Sequence, residues 1–288
     1  MSIFEMVKYH NQEYPSDISL RMEEVAAHFD IGVVTSNHLM SLHTEYSYGK
    51  RTFSTEIIRS FPDLVGAQKD GVPQLWKDEK WALQFGDFLI RLVGNKPMPA
   101  VVEIHPPFDD YTFMDKFIDT YSIFEKRLQA AYPSVKILIE NRCGSVYRGG
   151  KLLISKLQEV EALCNQIVRQ NLKLRIAYDI PQIYTAHHAS TADQYVKLLE
   201  DTKRIRELIG GVHLWGKRKS ATGRKVSHCG DLTSYFDDDL PVKKQFLNAF
   251  ADCFDDHVIR KMVLEVNSSN ADMNSIISDL RSVGTQFV

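Results

Sequence analysis

Five polar residues stand at the ends of apolar runs. His105 closes "AVVEIH", Glu140 closes "KILIE", Asp179 closes "LRIAYD", His213 closes "GGVH" and Glu265 closes "KMVLE". Imidazoles and carboxylates are the side chains that ligate divalent metals and carry protons in catalysis. Taken singly, each has a structural explanation: an acid after a strand caps the next helix or bonds a loop amide, and a histidine there is a hydrogen-bonded core residue. Capping alone predicts a mixture of Ser, Thr, Asn and Asp, however, whereas this set is Glu, Glu, Asp, His and His. Several carboxylates brought to one place without a cation repel one another and take up protons, so a bound metal makes electrostatic sense of them. Glu140, Asp179, His213 and Glu265 form an oxygen-rich set with one imidazole, suited to one Mn, Zn, Fe, Co or Mg ion and too hard for Cu(I).

The run "GGVHLWGKRKSATGRKVSHCGDL", residues 210–232, adds a second feature. His213 and Trp215 are followed by Lys217, Arg218, Lys219, Arg224 and Lys225, five cations in nine residues, and then by His228. Such a loop can cradle an anionic group such as a phosphate, or it is a solvated basic turn. Trp215 offers an aromatic face for the apolar side of a sugar ring, or is core. Arg142 and Arg148, just after Glu140, are further substrate-holding candidates.

These residues need a frame that brings strand ends together. Runs rich in Val, Ile and Leu read as strands at 100–105, 136–140, 172–179, 209–214 and 261–266. Between them, Phe113, Phe117, Tyr121, Phe124 and Leu128 recur at helical spacing, with Pro133 beyond the end. Ser190 and Thr191 offer capping hydroxyls before a helix through Val196 and Leu199. Earlier in the chain, 3–9, 31–36 and 55–61 read as strands and 19–29 and 79–93 as helices. The sum is eight β/α units in one α/β domain over 1–288, the size of a closed (β/α)8 TIM barrel whose active site lies at the carboxyl ends of the strands. A doubly wound sheet is the alternative, but no Gly-rich turn follows any strand, so no nucleotide cofactor is expected.

Composition bounds the rest. The 288 residues are 44% hydrophobic with a formal charge of −2, which gives no global reason to bind nucleic acid. Four cysteines without CxxC spacing suggest a reducing cytoplasm rather than a disulfide scaffold. No leader pattern is visible at the start, and no window approaches the roughly 18 apolar residues of a membrane span, so a soluble protein is expected.

The series "ILIENR", "IAYDIPQ", "VHLWGK…SHCGDL" and "VLEVN" resembles the xylose isomerase-like TIM barrels, which include sugar isomerases, epimerases and endonuclease IV. The resemblance covers residues 100 to 270, and the N-terminal third only by element order. It implies a divalent metal on Glu140, Asp179, His213 and Glu265. The endonuclease branch adds histidines, which His105 and His228 match. Gln182 stands where that branch has a third histidine, Val226 where it has a loop Asp, and Ser60, the nearest candidate for the third-strand position, is not a histidine. One metal, or at most two, is therefore expected.

The resemblance implies a metal-dependent sugar or sugar-phosphate isomerase or epimerase in which Glu140 and Glu265 exchange a proton with the substrate. His105 would bind a substrate hydroxyl, and the loop cations would hold a phosphate. The alternative is an endonuclease IV-like phosphodiesterase acting on abasic or damaged DNA. A third possibility is a barrel that binds a ligand without turning it over.

Overall fold

The computed structural model describes residues 1–147 and 150–288; Arg148 lies outside the described residues. Eight strands recur along the chain: β1 (Ile3–Lys8), β2 (Met22–Ala27), β3 (Leu39–Thr44), β4 (Val101–Ile104), β5 (Lys136–Glu140), β6 (Arg175–Asp179), β7 (Ile209–Leu214) and β8 (Ile259–Leu264). Their hydrogen-bonded order is β8-β7-β6-β5-β4-β3-β2-β1, with β8 also paired to β1, which is the topology of the eight-stranded parallel α/β barrel class. The chain packs as two compact units, one of residues 23–177 and one of residues 1–22 with 178–288. No helix among the described residues is long and apolar enough to cross a membrane.

Within residues 23–177, β3 pairs with β4 so that His43 lies opposite Glu103, and β4 pairs with β5 from Val101↔Lys136 to Ile104↔Ile139. Strands buried on both faces favour the Val- and Ile-rich runs seen here. Two helices of this unit pack together: Glu79–Val93, capped by the Asp78 carboxylate on the Trp81 N–H, and Met114–Ala131. Their inner faces meet in an aromatic cluster of Trp76, Trp81, Phe85, Phe117, Tyr121 and Phe124, with edge-to-face contacts such as Trp76 on Phe124 at 5.2 Å.

Within the other unit, β1 and β8 run in register from Ile3↔Ile259 to Val7↔Val263, and β8 pairs with β7 from Gly211↔Lys261 to Leu214↔Leu264. The helix Ala192–Thr202 begins as the sequence predicts, with the Thr191 hydroxyl and the Gln194 amide forming a reciprocal cap.

The N-terminal third departs from expectation in three places. Residues 19–29 do not form a helix: Met22–Ala27 is β2, although Met, Glu and Ala are good helix formers, because strand pairing overrides intrinsic propensity. Residues 31–36 are irregular, with Val34 buried through a backbone bond to the Leu92 carbonyl at 3.0 Å and Val33 exposed. The third strand is Leu39–Thr44, not residues 55–61, where Thr55–Ser60 is instead a short helix whose Ser54 hydroxyl caps the Ile57 N–H.

Candidate functional site

In the unit built from residues 1–22 and 178–288, three of the strand-end residues converge. His213 lies opposite Val263 in the β7–β8 register, and Glu265 follows two positions later on the same face, its N–H bonded to the Leu214 carbonyl at 3.1 Å. The pleat therefore sets His213 Nδ1 3.0 Å from Glu265 Oε1. Asp179 ends β6 and caps the helix Ile180–Ala186, its Oδ1 accepting from the Gln182 N–H at 2.9 Å. Oδ2 of the same carboxylate accepts from the Gln182 side-chain amide at 2.8 Å and the Trp215 indole N–H at 3.0 Å. Asp179, His213 and Glu265 are all buried, and each offers a ligand atom within 4.8 Å of the others. Two carboxylates and an imidazole at that spacing fit a divalent cation of the Mn, Zn, Fe, Co or Mg kind.

The loop beyond β7 returns to this group. Gly216 and Gly230 pinch its base, where a Cβ on Gly216 would meet the Gly230 carbonyl oxygen at 2.2 Å. Between them Lys217–Lys219 and Lys225–Ser227 pair as a hairpin. His228 then turns back with left-handed backbone, φ 56°, and its Nδ1 lies 3.3 Å from Glu265 Oε2. Its ring stacks on Trp215 with centroids 4.3 Å apart. Burial would push the Glu265 carboxyl up, but His213 and His228 outweigh it and hold the group well below the usual carboxylate range. Burial likewise lowers His228, and the Glu265 carboxylate more than restores it, leaving the imidazole above its ordinary value.

The basic hairpin is less free than its sequence suggests. Lys219 and Lys225 both pair with Asp237, at 3.1 and 2.6 Å, and Arg218 pairs with Asp272 at 2.5 Å. Lys217 donates to the Thr185 hydroxyl at 3.0 Å with its ammonium 5.3 Å from the Trp215 ring centroid. Arg224 is exposed, and no carboxylate pairs with it among the described residues. Trp215 is itself buried, with one face covered by His228.

Glu140 and His105 belong to the unit of residues 23–177, where they meet a residue that sequence reading missed. His43, on β3, sets its Nε2 3.1 Å from His105 Nε2 and 3.8 Å from Glu140 Oε2, while His105 Nε2 lies 2.9 Å from the same oxygen. These three also offer ligand atoms within 4.8 Å of one another. Arg142 donates to the other Glu140 oxygen at 2.9 Å. Ser60, the expected third-strand candidate, lies instead on the short helix, its hydroxyl accepting from Arg91 at 2.7 Å. The signal for His43 was the strand "LMSLHT", which lacks the Val and Ile that mark the other strands.

Protons on this second group follow from its hydrogen bonds. His105 Nδ1 faces the Glu45 carbonyl at 3.1 Å, and a carbonyl only accepts, so Nδ1 carries the hydrogen. Burial holds His105 down to about 4 against the pull of Glu140, so its Nε2 is a lone pair. Burial would also lower His43, but Glu24, then Glu103 and Glu140, raise it to about 9. A lone pair on His105 and a carboxylate oxygen at 2.9 Å repel unless a proton from His43 or a cation stands between them. The donor set thus fits a cation here as well.

The fold and these two groups define the class: a parallel α/β barrel chain bearing two buried histidine–carboxylate clusters. No protein-family profile matches the chain, and no curated protein does. Among solved structures it is similar to a 3-keto-D-glucoside 4-epimerase from E. coli, at 10% identity over 97% of this chain and 98% of that one with a TM-score of 0.45. A xylose isomerase domain protein from Alicyclobacillus acidocaldarius matches at 11% identity, 97% and 96% coverage and a TM-score of 0.45. A sugar phosphate isomerase/epimerase from Parabacteroides distasonis matches at 9% identity, 92% and 84% coverage and a TM-score of 0.44. A chitinase and a xylanase core match as well, and likeness at this level assigns no activity or ligand to the chain.

Proposed function

We propose that the chain is a divalent-metal-dependent isomerase or epimerase of sugars or sugar phosphates. The observation that carries this reading is the buried triad Asp179, His213 and Glu265, with ligand atoms within 4.8 Å of one another. A bound cation would act there as a Lewis acid on a substrate carbonyl and its neighbouring hydroxyl, acidifying the C–H between them. Glu265, ionised because His213 and His228 hold its carboxyl low, takes that proton. Glu140 is the second proton carrier of the reading, supported by its place at the end of β5 in a fold class whose chemistry sits at strand ends. Arg142, bonded to Glu140, fixes the orientation of that carboxylate. For a phosphorylated substrate, Arg224 is the first candidate to meet the phosphate, because Arg218, Lys219 and Lys225 already have carboxylate partners.

A second reading has its own support. His43, His105 and Glu140 form another set of metal-competent donors, and hydrolysis of a phosphodiester commonly engages more than one cation. One experiment separates the two. Incubation in deuterated water with a panel of sugars and sugar phosphates, beside abasic and intact DNA, should give deuterium incorporation at the carbon next to a carbonyl and no strand cleavage. Cleavage of abasic DNA without deuterium exchange would replace the first reading with the second.

A further inference from the structure

Glu24 is a carboxylate with little apparent structural work to do. It lies on β2, its side chain is 8% exposed, and its Oε2 is buried with no hydrogen-bond partner among the described residues. Burying a carboxylate is costly unless an opposite charge or a donor offsets it. The group it faces is His43, whose Nδ1 lies 3.2 Å from Glu24 Oε1, with Glu103 Oε1 behind at 3.9 Å. On its other side the same ring directs Nε2 at His105 Nε2 and Glu140 Oε2.

We propose that Glu24 is the positioning residue of His43, holding Nδ1 outward so that Nε2 faces His105 and Glu140. His105 is held in the same sense by a different device, with Nδ1 on the Glu45 backbone carbonyl at 3.1 Å. Two imidazoles from adjacent strands thus present the same nitrogen to one point, each through an acceptor on the far side. An acceptor on the far nitrogen is what fixes the tautomer and ring angle of a ligating histidine. Glu103, opposite His43 in the β3–β4 register, is too distant to hydrogen-bond the ring and adds negative charge behind it. The Tyr46 ring stands edge-on to His43, at 6.2 Å between centroids, and limits how far the imidazole can tilt.

The consequence for metal affinity rests on the second reading above; the ring orientation does not. Ring-nitrogen resonances of the histidines, recorded by NMR on the metal-free full chain, test the orientation, and a zinc titration against a chelator tests its consequence. Both Glu24→Gln and Glu24→Ala should move the His43 resonances and leave those of His105, held by a carbonyl, in place. Zinc affinity at His43, His105 and Glu140 should fall about 10- to 100-fold in Glu24→Ala, and less in Glu24→Gln, whose amide oxygen still accepts. Unmoved His43 resonances in Glu24→Gln, which keeps the shape of the side chain and so the fold, would overturn the assignment. Should the unsubstituted chain bind no zinc at this group, the second reading fails and the resonances alone decide the role of Glu24.

Discussion

The two histidine–carboxylate clusters are built from similar residues and differ in how those residues are held. The carboxylates of the first cluster face nitrogen groups: Gln182 and Trp215 donate to Asp179, and His213 and His228 pair with Glu265. His105 is bonded from behind to the Glu45 carbonyl, and His43 Nδ1 lies 3.2 Å from the Glu24 carboxylate. Donors directed at carboxylates keep them ionised, and an ionised carboxylate serves both as ligand and as proton acceptor. The acceptor behind His105 leaves its Nε2 lone pair pointing inward, which serves ligation, whereas His43 must give up its Nε2 proton before it can ligate. Under the proposed isomerase reading the first group holds the working cation and the proton acceptor Glu265, and the second contributes Glu140.

Substitutions can break that comparison, and the largest effect belongs to the carboxylate that does both jobs. Glu265→Gln keeps the shape and removes the charge; turnover should fall by about a thousandfold or more, a size consistent with losing a proton carrier and a metal ligand together. Steady-state rates on whichever sugar exchanges deuterium provide the check. His105→Ala should leave turnover within about tenfold while lowering zinc uptake at its own group, because under the favoured reading the proton carrier of that group is Glu140 and not His105. A loss as deep as that of Glu265→Gln would give His105 itself a part in the reaction.

Smaller effects sharpen the contrast. Trp215→Phe removes one donor from Asp179 Oδ2 while keeping an aromatic ring under His228, and should weaken metal affinity of the first group by about 10- to 100-fold with the second unchanged. A cobalt titration followed in the visible region would register it. Asp256 accepts two bonds from the buried Arg260 guanidinium, at 2.7 and 2.6 Å. Arg260 holds the Asp256 carboxyl below its usual range, so the pair's contribution to stability is present above the unfolded carboxylate's pKa and is lost as pH falls through the lower folded one. Asp256→Ala should cost about 3 kcal/mol in chemical denaturation near neutral pH, with the loss shrinking as the pH falls below about 4, and metal uptake by the folded protein unchanged.

Much of the first cluster was legible in the sequence, and the second only in part. Strands β4 to β8 announce themselves because "VVEI", "KILIE" and "KMVL" concentrate β-branched residues, and their polar terminal residues then stand out. The stretches "MEEVAA" and "LMSLHT" carry helix formers and mixed polar residues, so β2 and β3 are strands by tertiary pairing alone. That is why Glu24 and His43 escaped notice and Ser60 took the place of the third-strand ligand. The partners of the basic hairpin were equally hidden, since Asp237 lies 12 positions from Lys225 and Asp272 lies 54 from Arg218. The hydrogen bond from Trp215 to Asp179, across 36 residues, has no local sequence signal at all.

Metal content of the purified chain, set beside that of Asp179→Ala, tests the central claim most directly. About one equivalent of a divalent ion that is lost on substitution, with any further ion retained, is the result expected if Asp179, His213 and Glu265 hold the working cation. An ion that survives Asp179→Ala undiminished, or a folded chain that takes up none under any of the five metals, would contradict it.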